Sequence, residues 1–205
     1  MKLTVTDLSV ARGGAPVLSG VSFAVNAGSV LVLRGPNGIG KTTLLRTLAG
    51  LQPALSGTVD VPVDTVAYAS HADGIKAQLT VTENLAFWAD VHGTTMPDSV
   101  FGAFDLDDLR TRLAGTLSAG QKRRLGLARL GVIGRKVLFL DEPTVSLDGF
   151  SVKMFANWLR DVHLAHGGIA VIATHVDLGI DAPELDLTPF RSTAHASGGS
   201  DEAFL

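Results

Sequence analysis

One stretch of the chain restricts its fold more than any other, because it needs a strand, a glycine turn and a helix in that order. Gly35-Pro-Asn-Gly-Ile-Gly-Lys-Thr42 fits the pattern G-x-x-x-x-G-K-[ST]. The run from Val30 to Arg34 before it is short and apolar, as in a buried strand. Leu44, Leu45 and Leu48 after it have helical spacing. The stretch therefore predicts a phosphate-binding loop between a strand and a helix.

The residues of this loop suit phosphate for separate physical reasons. Its glycines let several backbone N–H groups converge on one point, where the following helix N-terminus adds partial positive charge. Lys41 supplies a full charge for the β- and γ-phosphates of a nucleotide, and the Thr42 hydroxyl can ligate the accompanying Mg²⁺. We therefore expect Mg²⁺ to be ligated by Thr42, and the nucleotide phosphates to be bound by Gly35, Pro36, Asn37, Gly38, Ile39, Gly40, Lys41, Thr42 and Thr43.

Composition excludes several other classes of protein. The chain has 205 residues, 46% of them hydrophobic, which suits one compact domain. It has no cysteine, which excludes disulfides, cysteine–zinc sites and iron–sulfur ligation. A net charge of −3 argues against broad attraction to nucleic acid. Because no apolar run approaches the roughly 20 residues of a membrane span and no signal pattern is present, we expect a soluble cytoplasmic protein that can dock on a membrane protein.

Strands that alternate with helices predict an α/β fold with a mainly parallel sheet covered on both faces. A capping box at Thr80-Val-Thr-Glu83 opens a mostly helical stretch. Residues 150–166 predict an amphipathic helix, whereas a Ser-, Thr-, Ala- and Gly-rich composition predicts a flexible tail. We assign residues 1–188 to one domain, about 80–134 to a helical subdomain within it, and 189–205 to the tail. The predicted strands are residues 3–10, 21–25, 30–34, 57–61, 65–69, 137–140 and 169–173.

Two carboxylates follow a second buried run, from Val137 to Leu140. Asp141 and Glu142 stand at the carboxyl end of that predicted strand, the edge where parallel sheets bind ligands. We expect Asp141 to hold Mg²⁺ through water, and Glu142 to polarise the water that attacks the γ-phosphate. Without the phosphate loop, Asp141 and Glu142 would more simply be acidic residues in a loop at a strand end. The presence of the phosphate loop in the same chain favours the catalytic interpretation.

The pentapeptide Leu117-Ser-Ala-Gly-Gln121 precedes a run with helical apolar spacing. Ser118 is a good N-cap residue, and this helix N-terminus is a second place able to bind phosphate. By itself such a pentapeptide is most often only a capped helix.

Together the motifs resemble the ATP-binding subunits of ABC transporters. They follow one another as in that family: phosphate loop, LSAGQ, the strand ending in two acids, Ser146-Leu-Asp148 and a histidine after the last strand. The resemblance implies a P-loop NTPase fold of the ABC type, with a mixed β-sheet core plus a helical subdomain. It also implies a homodimer that sandwiches two ATP molecules, the pentapeptide of each copy facing the phosphate loop of the other. The resemblance also implies roles for single residues. Lys41 would bind the nucleotide and stabilise the transition state, while Glu142 and His175 would act on the attacking water and the γ-phosphate. The ATP of the partner copy would be contacted by Ser118, Gly120 and Gln121, and Asp148 would make a contact across the dimer.

The chain departs from the family pattern at two positions. Arg12 stands where the family has an aromatic that stacks on adenine; its guanidinium can lie flat on a base, or it is a solvated turn residue. The family's Mg²⁺-sensing glutamine corresponds by spacing to His71, with Gln78 as the other candidate. The remaining histidines, among them His92 and His163, we expect on the surface without a role.

Within the family, the closest resemblance is to the ATP-binding subunits of the haem exporter of cytochrome c maturation, the CcmA group. It is carried by GPNGIGKTTLLRTLAGL, by LSAGQKRRLGLARL and by the segment around His71. It implies a peripheral ATPase on the cytoplasmic side of the cell membrane, bound to integral-membrane permease subunits. Other ABC transporters, a non-transport ABC ATPase and a small-molecule kinase are the alternatives. The kinase would leave LSAGQ and His175 without a purpose.

Overall fold

The computed structural model describes residues 1–62, 64–70 and 74–193. Shorter helical turns supplement the strands and helices at 107–109, 114–116, 129–131 and 188–190. In chain order the elements are β1 (Lys2–Arg12), β2 (Ala15–Asn26), β3 (Ser29–Arg34), α1 (Lys41–Leu48), β4 (Ser56–Asp60), β5 (Val66–Ala69), α2 (Val81–Val91), α3 (Ser99–Ala103), α4 (Ala119–Ala128), β6 (Val137–Asp141), α5 (Gly149–Trp158), β7 (Ile169–Ala173) and β8 (Glu184–Asp186).

A five-stranded parallel sheet forms the centre of the chain, in the order β5-β6-β7-β3-β8. Every residue of β6 and β7 is buried, which explains why these strands are continuous apolar runs. Successive residues of β6 point to opposite faces. Val137 and Phe139 pack in a core with α1 and β1, whereas Leu138 and Leu140 pack in a second core with the helices. The prediction of a parallel sheet covered on both faces is confirmed.

A smaller antiparallel sheet, β2-β1-β4, covers one face of the parallel sheet. The strands β1 and β4 approach so closely that a Cβ at Gly57 would lie 2.3 Å from the Asp7 carbonyl oxygen. Gly57 also has a φ of 84°, so a side chain is excluded there by both space and conformation. The two sheets together give the mixed β core that the family resemblance implied.

The predicted helical stretch between β5 and β6 contains α2, α3 and α4. The capping box that opens α2 is present, because the Thr80 hydroxyl accepts from the Glu83 N–H and the Glu83 carboxylate accepts from the Thr80 N–H. Leu85 of α2 and Phe101 of α3 are fully buried in the core shared with β6.

The structure differs from the sequence-based expectations at three elements. The helix expected over residues 150–166 is α-helical only to Trp158 and continues as a π-helical turn, Leu159–Leu164. Strand β8 was not predicted, because only Leu185 of its three residues is apolar. Residues 188–190 form a helical turn and Arg191 forms a bridge to Leu18, although residues from 189 onward were assigned to the tail. Residues 194–205 of that tail lie outside the described residues.

His163, expected on the surface, is instead 9% exposed within the π-helical turn. Its ring stacks on Trp158 at 5.8 Å between centroids, and its Nε2 lies 3.1 Å from the Ile169 carbonyl oxygen. Because a carbonyl only accepts, Nε2 carries the proton and donates it. A Cβ at Gly168 would collide with the ring at 2.5 Å, so the glycine makes room for the histidine. The burial lowers the pKa of His163 below its usual value.

This buried imidazole predicts a pH-dependent stability. Since the folded chain binds the His163 proton more weakly than the unfolded chain, the contribution to stability is present above about pH 6.5 and is lost as the pH falls below it. We expect His163→Gln, whose amide can donate to the Ile169 carbonyl, to flatten the fall of Tm between about pH 7 and 5. Thermal unfolding followed by circular dichroism measures this. Parallel Tm curves for the two proteins would contradict the assignment.

Candidate active site

The phosphate loop joins β3 to α1 through backbone that only glycine adopts readily. Gly38 and Gly40 have φ values of 81° and 115°, in the left-handed region. A Cβ at Gly40 would lie 3.2 Å from the side chains of Val17 and Leu18, so the loop is also packed against β2. Nothing lies within 4 Å of a Cβ at Gly38, so this part of the loop faces open space. The loop can therefore wrap a phosphate at the N-terminus of α1.

A cavity of about 250 Å³ lies over this loop. It unites the loop with the two carboxylates at the end of β6, as the sequence predicts for the carboxyl edge of a parallel sheet. Cationic, hydroxyl and carboxylate groups all face the same space, which suits a polyphosphate and a hard cation. The lining residues are Arg12, Val17, Asn37, Gly38, Gly40, Lys41, Thr42, Thr43, Asp141 and Glu142.

His175 brings a further group to the same place. Its Nε2 lies 3.4 Å from Lys41 Nζ, 3.2 Å from Asn37 Oδ1 and 3.6 Å from Glu142 Oε1. Lys41 Nζ also donates to the Gly35 carbonyl at 2.7 Å. The lysine, the glutamate and the histidine, which stand far apart in sequence, thus form one cluster at the ends of β3, β6 and β7.

Asp141 is held by a residue that sequence reasoning missed. The Tyr68 hydroxyl, on β5, donates to Asp141 Oδ2 at 3.2 Å. Burial, and secondarily the nearby Asp141 charge, raise the pKa of Tyr68 to about 12, so the phenol keeps its proton and remains a donor. Asp141 is 8% exposed, which fixes the orientation of its carboxylate further. The available signal was a tyrosine near the carboxyl end of the predicted strand 65–69, since carboxyl ends of parallel strands meet at one edge.

Arg34 is a second missed residue. It ends β3 next to the phosphate loop, and its guanidinium donates to Glu184 of β8 and to the Thr174 carbonyl. Thr174 immediately precedes His175. The arginine thereby ties the end of β3 to the backbone that carries the histidine, which only the strand order of the folded sheet reveals.

The pentapeptide that opens α4 does not line the cavity. Ser118 Oγ accepts from the Gln121 N–H at 3.2 Å, and Gln121 Oε1 accepts from the Ser118 N–H at 2.9 Å. The pentapeptide therefore forms a capped helix start, with open space beside Gly120. Asp148 likewise lies outside the cavity and caps α5, accepting from the Ser151 N–H at 2.7 Å. Gln78 is exposed, and His71 lies outside the described residues.

Comparison with known proteins agrees with this geometry. A sequence model of the ABC transporter family matches residues 18–145, more than half of the chain. The cytochrome c biogenesis ATP-binding export protein CcmA of Roseobacter denitrificans is 60% identical over 100% of both chains. The protein of that name from Rhodobacter capsulatus is 59% identical, over 98% of this chain and 94% of its own. The chain belongs to the CcmA group of ABC transporter ATP-binding proteins.

A solved structure supports the fold of this CcmA-type chain. A putative ABC transporter ATP-binding protein from Pyrococcus furiosus superposes with a TM-score of 0.82, at 26% identity over 94% of this chain and 100% of that one. The chain is an ABC-type ATPase that binds ATP. Among its described residues, no helix combines the length and the apolar character needed to cross a bilayer.

The capping geometry of Asp148 predicts a stability effect that is separable from any interface role. The backbone hydrogen bond from Ser151 also lowers the pKa of Asp148. We expect Asp148→Ala to lower the free energy of unfolding, because the Ser151 N–H loses its capping acceptor. Asp148→Ser, which keeps a capping oxygen, should lose much less stability than the alanine variant. Urea unfolding compares the two, and equal stability of the alanine variant and the unaltered chain would show that the cap contributes nothing.

Proposed function

We propose that this chain is the ATP-hydrolysing subunit of an ABC exporter that serves c-type cytochrome biogenesis, with haem as the cargo that the complex exports or releases. The full-length identity to CcmA export proteins is the observation that carries the proposal. The clustered Lys41, Glu142 and His175 support the ATPase part. Another ABC transporter is the second candidate. A non-transport ABC ATPase is disfavoured, because the relatives that match this chain over its whole length are named export proteins.

The residues around the cavity divide the chemistry among them. Lys41 binds the β- and γ-phosphates and stabilises the charge that develops in the transition state. Glu142 accepts a proton from the attacking water, and His175 holds that water against the γ-phosphate. Arg12 lines the cavity and is placed by this proposal against the adenine.

Thr42 and Asp141 are the residues that would hold Mg²⁺, and their chemistry fits it. Mg²⁺ prefers a few oxygen ligands from the protein, completed by phosphates and water. A hydroxyl and a tyrosine-anchored carboxylate in one cavity meet that need. The described residues contain no cluster of three or more acidic or histidine side chains suited to a metal. Such a cluster is not required here, because the phosphates of the substrate supply part of the ligands of Mg²⁺. When bound, Mg²⁺ would neutralise phosphate charge.

The assembly is proposed as a homodimer on a membrane permease. Ser118, Gly120, Gln121 and Asp148 do not line the cavity, which fits a role at the ATP of a partner copy. The chain would then work from the cytoplasmic side of the cell membrane, as a peripheral subunit. The division into residues 1–188 with a helical subdomain over about 80–134, and the coupling role of His71 or Gln78, are part of the same proposal.

The proposed roles of Lys41 and Glu142 are separable by mutation. Lys41→Ala removes a charged donor to phosphate and should weaken ATP binding about 10- to 100-fold while also lowering turnover. Glu142→Gln keeps the shape and should preserve binding, lower hydrolysis at least about 100-fold and trap an ATP-bound dimer. Phosphate release, nucleotide binding and size-exclusion chromatography with Mg-ATP measure these effects.

Lys153→Ala is the matched control, because Lys153 is exposed on α5 and does not line the cavity. Its binding and turnover should equal those of the unaltered chain. Normal hydrolysis by Glu142→Gln would remove the assigned role of the glutamate.

In cells, loss of the protein should abolish c-type cytochromes and leave other haem proteins intact. Lys41→Ala should reproduce the deletion, because the exporter would lose its motor. A haem stain of membrane proteins, with a spectrum of b-type haem as the control, measures both. Normal c-type cytochromes in a deletion strain without a second gene copy would leave the ATPase assignment standing and overturn the haem assignment.

A further inference from the structure

Arg123 is a buried charged residue that the proposed chemistry does not use. It lies on α4, two residues after the pentapeptide, and is only 5% exposed. Its guanidinium donates from Nε to the Pro143 carbonyl at 3.0 Å, from Nη1 to the Ser70 carbonyl at 2.9 Å and from Nη2 to the Glu142 carbonyl at 3.1 Å. One side chain on α4 therefore holds the ends of β5 and β6.

These three hydrogen bonds go to backbone carbonyls. A buried guanidinium is costly unless its donors are satisfied, and each of its three nitrogen atoms is used here. The planar fork of an arginine matches several acceptors in one plane, which the single ammonium of a lysine cannot do. The arrangement thus specifies the position of the backbone at the ends of β5 and β6.

Glu142 has an unusual backbone that needs such support. Its φ is 48°, in the left-handed region that residues with a side chain rarely adopt. The conformation is held on both sides, because the Glu142 N–H donates to the Ala173 carbonyl at 2.8 Å and the Glu142 carbonyl accepts from Arg123. The carboxylate that results lies beside His175 and lines the cavity.

We propose that Arg123 is a positioning residue for hydrolysis. It keeps Glu142 in the left-handed conformation that presents the carboxylate to the cavity, and it links this conformation to the helix that begins at the pentapeptide. Any movement of α4 is thereby passed to the carboxylate that acts on the water. The inference rests on the proposed ATPase role of Glu142.

The inference predicts an effect on turnover without an effect on nucleotide affinity. Arg123 does not line the cavity, and the phosphate-binding groups of the loop do not depend on it. We expect Arg123→Gln to lower kcat by about 10- to 100-fold, because small displacements of a reacting group have effects of that size. The dissociation constant for ATP should change less than about twofold. Arg123→Lys keeps the charge but not the fork, and should have an intermediate kcat.

The experiment measures kcat, KM and ATP affinity of the full chain and its variants, with thermal unfolding to establish that each is folded. Arg124→Gln is the matched control, because Arg124 is the next residue on α4 and pairs with Asp105 away from the cavity. It should keep kcat within about twofold. Arg123→Gln is also measured in a Glu142→Gln background by single turnover of labelled ATP, where it should cause no further loss.

The outcomes separate this inference from the proposed function. If the unaltered chain hydrolyses ATP and Glu142→Gln does not, but a folded Arg123→Gln turns over normally, the positioning role alone is wrong. A raised KM at unchanged kcat, or full additivity with Glu142→Gln, would also overturn it. Should Arg123→Gln not fold, the kcat of Arg123→Lys decides, and a normal value rejects the inference. If the unaltered chain does not hydrolyse ATP, the proposed function itself fails.

Discussion

The parallel pairing of β3, β7 and β6 determines where the residues of the candidate site come together. Leu33 and Asp141 are both paired with Ala173, so the three strands end at one level of the sheet. Whatever follows each strand must then lie side by side: the glycine loop after β3, Glu142 after β6 and Thr174-His175 after β7. Each strand is buried on both faces, so the register resists slipping by one residue, which would exchange the two cores. The relative positions of the residues in the candidate site are thus fixed by the packing of the sheet.

Much of this arrangement follows from the sequence, because its signals are local. The glycine pattern requires left-handed backbone, the apolar runs require burial on both faces, and both conditions hold in β3 and the loop after it. Capping boxes at Thr80 and Ser118 are equally local, since each uses residues three positions apart. The motifs therefore identify the elements, and the parallel-sheet rule places their ends together.

The remainder was not predictable, because it depends on partners distant in sequence. Strand β8 exists through its pairing with β3 and the bonds from Arg34 to Glu184, not through an apolar pattern of its own. Burial of His163 depends on a π-helical turn and on the space that Gly168 leaves, neither of which has a periodic signature. Tyr68 reaches Asp141 only because β5 and β6 are neighbours. In each case the position of a strand or side chain depends on a contact that forms only in the folded chain.

Cationic side chains stabilise the candidate site by donating hydrogen bonds to backbone carbonyls. Arg34 holds the end of β7 before His175, Arg123 holds the end of β6 at Glu142, and Lys41 donates to the Gly35 carbonyl of its own loop. The first two have guanidinium forks, which fix orientation, whereas Lys41 has a flexible stem and a point charge. That difference matches their tasks. The arginines hold the backbone in place, and in the proposed function the lysine would exchange the Gly35 carbonyl for a phosphate oxygen without any change in the loop that carries it.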